Sequence, residues 1–235
     1  MPLRVGFDLD GTIADMYAGL RQVAERLFGP DELAKAAYEQ TEQQPTSDED
    51  TDSKKVLADL HLTARQQMQV WDHVKTVENF WNSLPELEPG IVARISEVAI
   101  KRRWEVIFLT TRPIVAGETV QIQSQRWLEA HGFTLPSVFV VQRSRGKIAD
   151  ALQLDAVVDD RPENCLDVAV ESKAKPILIW AADPKLVPSG AKRLGVRVAS
   201  SISEAVSLLE ALDDMQRESG VVRSLKKLFG KETPA

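Results

Sequence analysis

Short apolar runs alternate along the chain with longer segments in which apolar residues recur every three or four positions. The first run, Val5 to Leu9, is broken by one acid and ends at Asp10-Gly11, a turn signal, so it predicts a buried strand. Later runs predict strands at residues 106–109, 138–141, 156–158, 177–180 and 196–198. Strands that alternate with helical segments favour an α/β fold, a Rossmann-like parallel sheet with helices on both faces.

Helical spacing dominates the region between the first two predicted strands. Apolar residues recur from Met16 to Phe28, where Gly29-Pro30 should end the helix, then from Val56 to Leu60 and from Met68 to Val77. No strand alternation appears there, so the sequence predicts a small helical insertion after the first strand. In the rest of the chain the same spacing predicts helices at residues 91–99, about 116–131 and 201 to about 212.

The stretch before Val56 is less regular. Asp31 could cap a second short helix that reaches Tyr38, whereas residues 43–53 are polar and acidic and predict a surface loop. The chain is therefore expected to contain a core of residues 1–14 and 88–213, a helical insertion, 15–87, and an amphipathic tail, 214–235. The tail suits either a helix docked on the core or a segment that binds a membrane or a partner.

The composition of the chain indicates the class of protein, its partners and its compartment. Hydrophobic residues make up 43% and charged residues 27% of the chain, which is ordinary for a globular protein. The net charge of -6 gives no general basic field, so a large nucleic acid is not expected as a partner. The single cysteine, Cys165, rules out an internal disulfide and suits a reducing compartment. The first strand leaves no room for a signal peptide, and no apolar run reaches the ~20 residues that span a bilayer, so we expect a cytoplasmic protein.

Two carboxylates, Asp8 and Asp10, lie at the C-terminal end of the first predicted strand. Residues two apart on a strand share a face, so both acids should stay near one point. Two like charges held close together are costly unless a cation or a proton neutralises them. A metal ion would resolve the conflict and would also bring in an anionic substrate, with phosphate the obvious candidate. The alternative is a strand end that happens to be acidic.

Polar residues recur at the ends of other predicted strands. Thr110 and Thr111 follow the second strand, Asp159 and Asp160 follow the fourth, and Lys147 lies on the approach to the fourth. In open α/β sheets the ligand site lies beyond the carboxyl ends of the strands. Capping or solvation would explain Thr110 or Lys147 alone, but it explains the whole set less well.

These residues resemble, in order, the motifs of the haloacid dehalogenase-like (HAD) superfamily. The stretch Asp8-Leu9-Asp10-Gly11-Thr12 is similar to the first motif, whose two acids serve the family's phosphatases as nucleophile and as acid and base. The apolar strand that ends in Thr110 is similar to the second motif, whose hydroxyl helps hold the phosphoryl group. The helical insertion is similar to the C1 cap of that superfamily.

The third and fourth motifs have matches later in the chain. Lys147 is the best match to the lysine of the third motif, with Arg143 and Arg145 as nearby competitors. Asp159 and Asp160 match the acidic fourth motif, which completes a magnesium site. The resemblance favours Asp160 as the direct metal ligand with Asp159 beside it, although the order of these two roles is open.

A narrower resemblance is to the 5'(3')-deoxyribonucleotidases. It rests on residues 10–15 followed by Gly19-Leu20, and on residues 79–90. Aromatic residues of the cap line the base pocket in that group, which implies this role for Phe80 and Trp81. The stretch 110–113, Thr-Thr-Arg-Pro, departs from the group's Thr-Ser-Pro by an inserted arginine.

Together these resemblances imply a magnesium-dependent phosphomonoester hydrolase that forms an aspartyl phosphate at Asp8. Asp10 would act as acid and base, and Mg²⁺ would be held by Asp8, the backbone of Asp10 and Asp160. Thr110, Thr111 and Lys147 would bind phosphate, and the substrate would be a nucleoside monophosphate.

Two alternatives stay open. One is a HAD phosphatase for a sugar phosphate or another small phosphorylated metabolite. The other is a non-catalytic HAD-fold binding protein, which would usually have lost one of the four acids that this chain keeps. The sequence is compatible with a homodimer.

Overall fold

The computed structural model describes residues 2–30, 60 and 62–229, and it describes side chains as far as residue 218. Three predicted features lie outside the described residues: the short helix at 31–38, the polar stretch 43–53, and the helical positions Val56 and Leu57. Within the described residues, no helix is both long enough and apolar enough to cross a membrane.

In the described part of the chain, six strands form one parallel sheet flanked by helices, as predicted. They are β1 (Arg4–Asp8), β2 (Glu105–Thr110), β3 (Ser137–Val140), β4 (Ala156–Asp159), β5 (Lys175–Ile179) and β6 (Arg197–Ala199). Their order in the sheet is β3-β2-β1-β4-β5-β6. Every residue of β4 and all but the first of β1 are buried, which explains their apolar sequences, because a parallel sheet is covered on both faces.

Helices make up most of the remaining described chain. They are α1 (Met16–Phe28), α2 (Ala64–Thr76), α3 (Ile91–Arg102), α4 (Val120–Ala130), α5 (Arg145–Ala151), α6 (Pro162–Glu171), α7 (Ser189–Arg193) and α8 (Ile202–Phe229), with 3₁₀ turns at Phe80–Ser83 and Pro184–Leu186. The described part of region 15–87 is helical apart from turns and one isolated bridge between Glu86 and Ala14. Asp15 caps α1 by accepting a hydrogen bond from the N–H of Ala18, and Gly29 ends it as predicted.

Two helix boundaries differ from the prediction. Helix α4 begins at Val120 rather than near Ala116, because Gly117 has a left-handed φ of 94° and Thr119 caps the helix. Helix α8 does not end near Leu212 but continues to Phe229; no proline or glycine interrupts residues 202–219, and the helix passes through Gly220.

The chain divides into two compact units. The insertion unit contains Phe7–Ser96 and Ile107–Gln142, and the tail unit contains Met1–Gly6, Glu97–Val106 and Arg143–Ala235.

The insertion unit has an aromatic core. The Phe108 ring lies 6.2 Å from that of Phe7 and 4.9 Å from that of Phe133. The indole of Trp127 on α4 donates to the carbonyl of Leu84 at 2.7 Å, which fixes the end of the 3₁₀ turn Phe80–Ser83. A Cβ at Gly19 would lie 2.4 Å from the Leu84 side chain, so the glycine of the Gly19-Leu20 stretch has a packing role.

In the tail unit, α8 is held by a buried carboxylate. Asp213 accepts hydrogen bonds from the Trp104 indole at 3.1 Å, from Arg102 at 3.2 Å and from Arg217 at 2.8 Å. Burial raises the pKa of Asp213, but the hydrogen bonds from Arg217, Trp104 and Arg102 outweigh it, so the pKa lies below its ordinary value. The pKa of Arg102 is raised, chiefly by its hydrogen bond to Asp214. The residues around 213, where the core was expected to end, are therefore part of this packed helix.

Candidate active site

Asp8 is the last residue of β1 and is only 5% exposed. The chain turns directly after it: the N–H groups of Ile13 and Ala14 donate to the carbonyl of Leu9 at 2.9 and 2.7 Å. Gly11 has a φ of 84°, a left-handed conformation that favours glycine and explains the Asp-Gly signal in the sequence. A buried carboxylate at a strand end, followed by a tight turn, is a suitable place for a fixed nucleophile.

Asp10, within that turn, has both carboxylate oxygens engaged. The Thr110 hydroxyl donates to Oδ2 at 2.9 Å, and Nε of Arg112 lies 2.9 Å from Oδ1 and 3.0 Å from Oδ2. Nη2 of Arg112 also lies 2.8 Å from Oδ1. The structure thus brings together Asp10 and Thr110, two of the predicted site residues, and adds Arg112 between them.

Arg112 is held on several sides. Its side chain is fully buried, and Nη1 donates to the Ser124 hydroxyl at 2.9 Å. The guanidinium carbon lies 5.0 Å from the centre of the Trp81 ring, within the range of a cation–π contact. These contacts fix the guanidinium in one orientation toward Asp10.

Phe80 and Trp81 are buried inside the insertion unit, at 4% and 0% exposure. Their rings meet edge to face at 5.0 Å, and the Trp81 indole donates to the carbonyl of Pro113 at 3.1 Å. A buried ring offers no free face to a nucleobase. Their assignment to a base pocket stays a prediction that this geometry does not support, and the observed contacts make Trp81 a neighbour of Arg112.

In the tail unit, Asp159 is the last residue of β4 and is fully buried. The Asn164 amide donates to both of its carboxylate oxygens at 3.0 Å, and the backbone N–H of Arg161 donates to Oδ1 at 2.9 Å. Nε of Arg145 lies 3.4 Å from Oδ2. Asp159 is fully buried and Asp160 beside it is half-buried, so Asp160 is the more exposed of the two acids, and which of them ligates a metal stays a prediction.

The three candidate cations for the third motif differ in burial. Arg145, the first residue of α5, is 2% exposed and pairs with Asp159, whereas Lys147 and Arg143 are exposed. A Cβ at Gly146 would lie 2.2 Å from the carbonyl oxygen of Asp167 on α6, so this close packing positions Arg145. The role of Lys147 in phosphate binding stays a prediction, and the geometry favours Arg145.

The two predicted phosphate-binding threonines also differ. Thr110 ends β2 and is fully buried, with its hydroxyl directed to Asp10. Thr111 follows outside the strand and is exposed. Of the two, Thr110 is the one that the structure places beside a predicted catalytic acid.

The donor set suits magnesium. No three acidic, histidine or cysteine side chains among the described residues converge closely enough to hold a metal by themselves. The resemblance implies a different set, two carboxylates and one backbone carbonyl, all of which are the oxygen ligands that Mg²⁺ prefers. In that resemblance Asp8 and Asp160 would supply the carboxylates and the backbone of Asp10 the carbonyl, and this ligand set stays a prediction.

Arg112 and Asn164, which contact Asp10 and Asp159, were not predicted as site residues. The signal for Arg112 was its place two residues after the threonine that ends β2, at the insertion that departs from Thr-Ser-Pro. The signal for Asn164 was Pro162, which occupies the first position of α6 and places Asn164 in the first helical turn after Asp159.

A parallel α/β sheet with an Asp-x-Asp turn after β1 and a threonine at the end of β2 defines a HAD-like phosphatase. The family described as 5' nucleotidase, deoxy (pyrimidine), cytosolic type C protein matches residues 2–180, and the chain belongs to that family.

Solved structures share the fold at low identity. A haloacid dehalogenase-like hydrolase from Streptococcus pneumoniae has a TM-score of 0.52 and 14% identity, over 88% of this chain and 98% of that chain. A dehalogenase has a TM-score of 0.51 and 12% identity, over 88% and 96%. At such identities the similarity shows the fold alone. The search of curated proteins finds no match.

Proposed function

We propose that this phosphatase is magnesium-dependent, works through an aspartyl phosphate and acts on a nucleoside monophosphate. The observation that carries the mechanism is the different surroundings of its two acids: Asp8 is buried at the end of β1, whereas the carboxylate of Asp10 is held by Thr110 and Arg112. A buried carboxylate fixed at a strand end suits an attacking group, and the roles of nucleophile and of acid and base are those that the resemblance to the HAD motifs implies. Membership of a 5'-nucleotidase family supports the substrate class.

In the first step, a carboxylate oxygen of Asp8 attacks phosphorus in line with the ester oxygen. A bond from Asp8 to phosphorus forms, and the bond from phosphorus to the ester oxygen breaks. Asp10 gives its proton to the departing oxygen, so the nucleoside leaves as a neutral alcohol.

In the second step, water attacks the phosphorus of the aspartyl phosphate. Asp10, now ionised, takes a proton from that water, and the bond from phosphorus to Asp8 breaks. Inorganic phosphate leaves, and both acids return to their starting states.

Asp8, the backbone carbonyl of Asp10 and Asp160 would hold Mg²⁺, with Asp159 supporting the loop through its bonds to Asn164 and Arg161. When bound, the ion neutralises charge on the phosphoryl oxygens. For the third-motif cation we replace Lys147 with Arg145, because Arg145 is the buried one.

A substrate panel tests the proposal. Phosphate release would be measured with Mg²⁺ on ribo- and deoxynucleoside monophosphates, a hexose phosphate and p-nitrophenyl phosphate, with wild type and Asp8→Asn. We expect the highest kcat/KM on a nucleoside monophosphate and no turnover by Asp8→Asn. A higher kcat/KM on the hexose phosphate would contradict the substrate class, and no release from any ester would favour a binding protein.

The family description also supports our assignment to the cytoplasm.

A further inference from the structure

We infer that Arg112 is the positioning residue of the general acid: it sets the orientation of the Asp10 carboxylate for proton transfer to the leaving group. The inference rests on the proposed function and extends it to a residue outside the four motifs. Its basis is a closed set of contacts, since Arg112 and Thr110 both bind Asp10 and the backbone N–H of Arg112 lies 3.3 Å from the Thr110 hydroxyl oxygen.

Arg112 and Asp10 differ in exposure, and this difference distinguishes their roles. The Arg112 side chain is 0% exposed and the Asp10 side chain is 13% exposed, so only Asp10 presents surface to a substrate. Arg112 therefore cannot touch a phosphoryl group in this arrangement and must act through Asp10. Among the described residues, removing Arg112 would leave Thr110 as the side chain that holds that carboxylate.

Other residues of the insertion unit pack against the Arg112 guanidinium. Trp81, in the 3₁₀ turn Phe80–Ser83, lies under it at 5.0 Å, and Gln123 accepts from the Trp81 backbone N–H at 3.2 Å. Gln123 in turn donates to the carbonyl of Glu118 at 2.6 Å. Phe80 and Trp81 were predicted to bind a base. Through these contacts, Trp81 instead helps to orient the proposed acid.

A positioning role and a purely structural ion pair predict different kinetics. A structural pair affects the amount of folded enzyme, so its loss would lower turnover of every substrate equally. A misplaced general acid slows only those substrates whose leaving oxygen needs a proton, because a very acidic phenol leaves well without one. The ratio kcat/KM reports steps up to the first irreversible one, which in the proposed mechanism includes departure of this oxygen.

The test compares wild type, Arg112→Lys and Arg112→Met on the best nucleoside monophosphate and on 2,4-dinitrophenyl phosphate, with Mg²⁺. We expect both variants to lose roughly 10²-fold in kcat/KM on the nucleotide, the size of a general-acid contribution, and less than about 3-fold on the dinitrophenyl ester. Arg102→Met, which removes an arginine bound to Glu210 and Asp214 in the tail unit, is the matched control and should leave the ratio of the two substrates unchanged.

Equal losses on both esters, or a wild-type nucleotide rate in Arg112→Met, would overturn the inference and leave the proposed function intact. A wild-type enzyme that hydrolyses neither ester would overturn both. If the Arg112 variants do not fold, Ser124→Ala removes only the partner of Nη1 and should show the same selective loss at smaller size. A uniform effect of Ser124→Ala on the two esters would overturn the inference in the same way.

Discussion

Arg145 and Asp159 form an ion pair that solvent barely reaches: Nε lies 3.4 Å from Oδ2, and the two side chains are 3% and 0% exposed. In a buried pair, removing one partner leaves the other charge without compensation. Lys147, two residues further along α5, is exposed. Substitution of Arg145 and substitution of Lys147 should therefore have different effects on stability and activity.

Arg145→Met should lower the free energy of unfolding by about 3–5 kcal/mol and lower phosphatase activity strongly, because Asp159 loses its cation. Lys147→Met, the matched variant on the same helix, should change stability by less than about 0.5 kcal/mol and leave activity nearly unchanged. Denaturant unfolding and phosphate release measure both effects. A large loss of activity in Lys147→Met with normal stability would restore Lys147 as the residue of the third motif.

Asp10→Asn should slow turnover of a nucleotide by about 10²–10⁴-fold, because an amide can neither give nor take the transferred proton. The variant should still fold, since the amide can accept the hydrogen bond from Thr110, but with a lower free energy of unfolding, because the buried Arg112 loses its counter-charge. Steady-state kinetics and a thermal melt check the two halves of this prediction. Unchanged kcat/KM on the nucleotide would remove Asp10 from proton transfer.

Chelation of divalent ions should stop phosphate release, and Mg²⁺ should restore it. Ca²⁺ should bind the same ligands and inhibit, because its larger and looser coordination misplaces the attacking carboxylate. The measurement is activity after dialysis against a chelator and titration with each ion. Full activity in excess chelator would exclude magnesium from the mechanism.

Phe80→Ala tests what the aromatic pair does. Its burial predicts a loss of about 3–5 kcal/mol in stability and the same proportional loss of activity on a nucleotide and on p-nitrophenyl phosphate. Leu20→Ala, at another fully buried position of the insertion unit, is the control for lost packing. A selective loss of roughly 5–150-fold on the nucleotide alone would instead support stacking on a base.

Asp213 stabilises the protein, and this contribution should be lost at acidic pH. Its pKa is lowered in the folded state, so the unfolded chain takes up a proton first as pH falls through about 4. The contribution of Asp213 is therefore complete above that pH and is lost below it. Urea unfolding of wild type and Asp213→Asn should differ most above about pH 5 and converge in acid. A difference that grows as pH falls would contradict this linkage.

Much of the fold could be predicted because buried parallel strands carry continuous apolar runs. The same runs located Asp8, Thr110 and Asp159, each of which ends a strand in the structure. Residues fixed by tertiary contact were harder. Arg112 and Arg145 are buried charges, and no periodic pattern marks a charge whose partner is far along the chain. The choice between Arg145 and Lys147 depends on the close packing of Gly146 against α6, which spacing alone does not reveal.

The measurement that tests the central claim most directly is the mass of peptides from enzyme quenched in acid during turnover with Mg²⁺ and substrate. If Asp8 is the nucleophile, the peptide containing Asp8 gains the mass of one phosphoryl group, and Asp8→Asn, treated identically, gains none. A phosphoryl group on a different residue, or rapid turnover with no phosphorylated peptide at any quench time, would contradict Asp8 as the nucleophile.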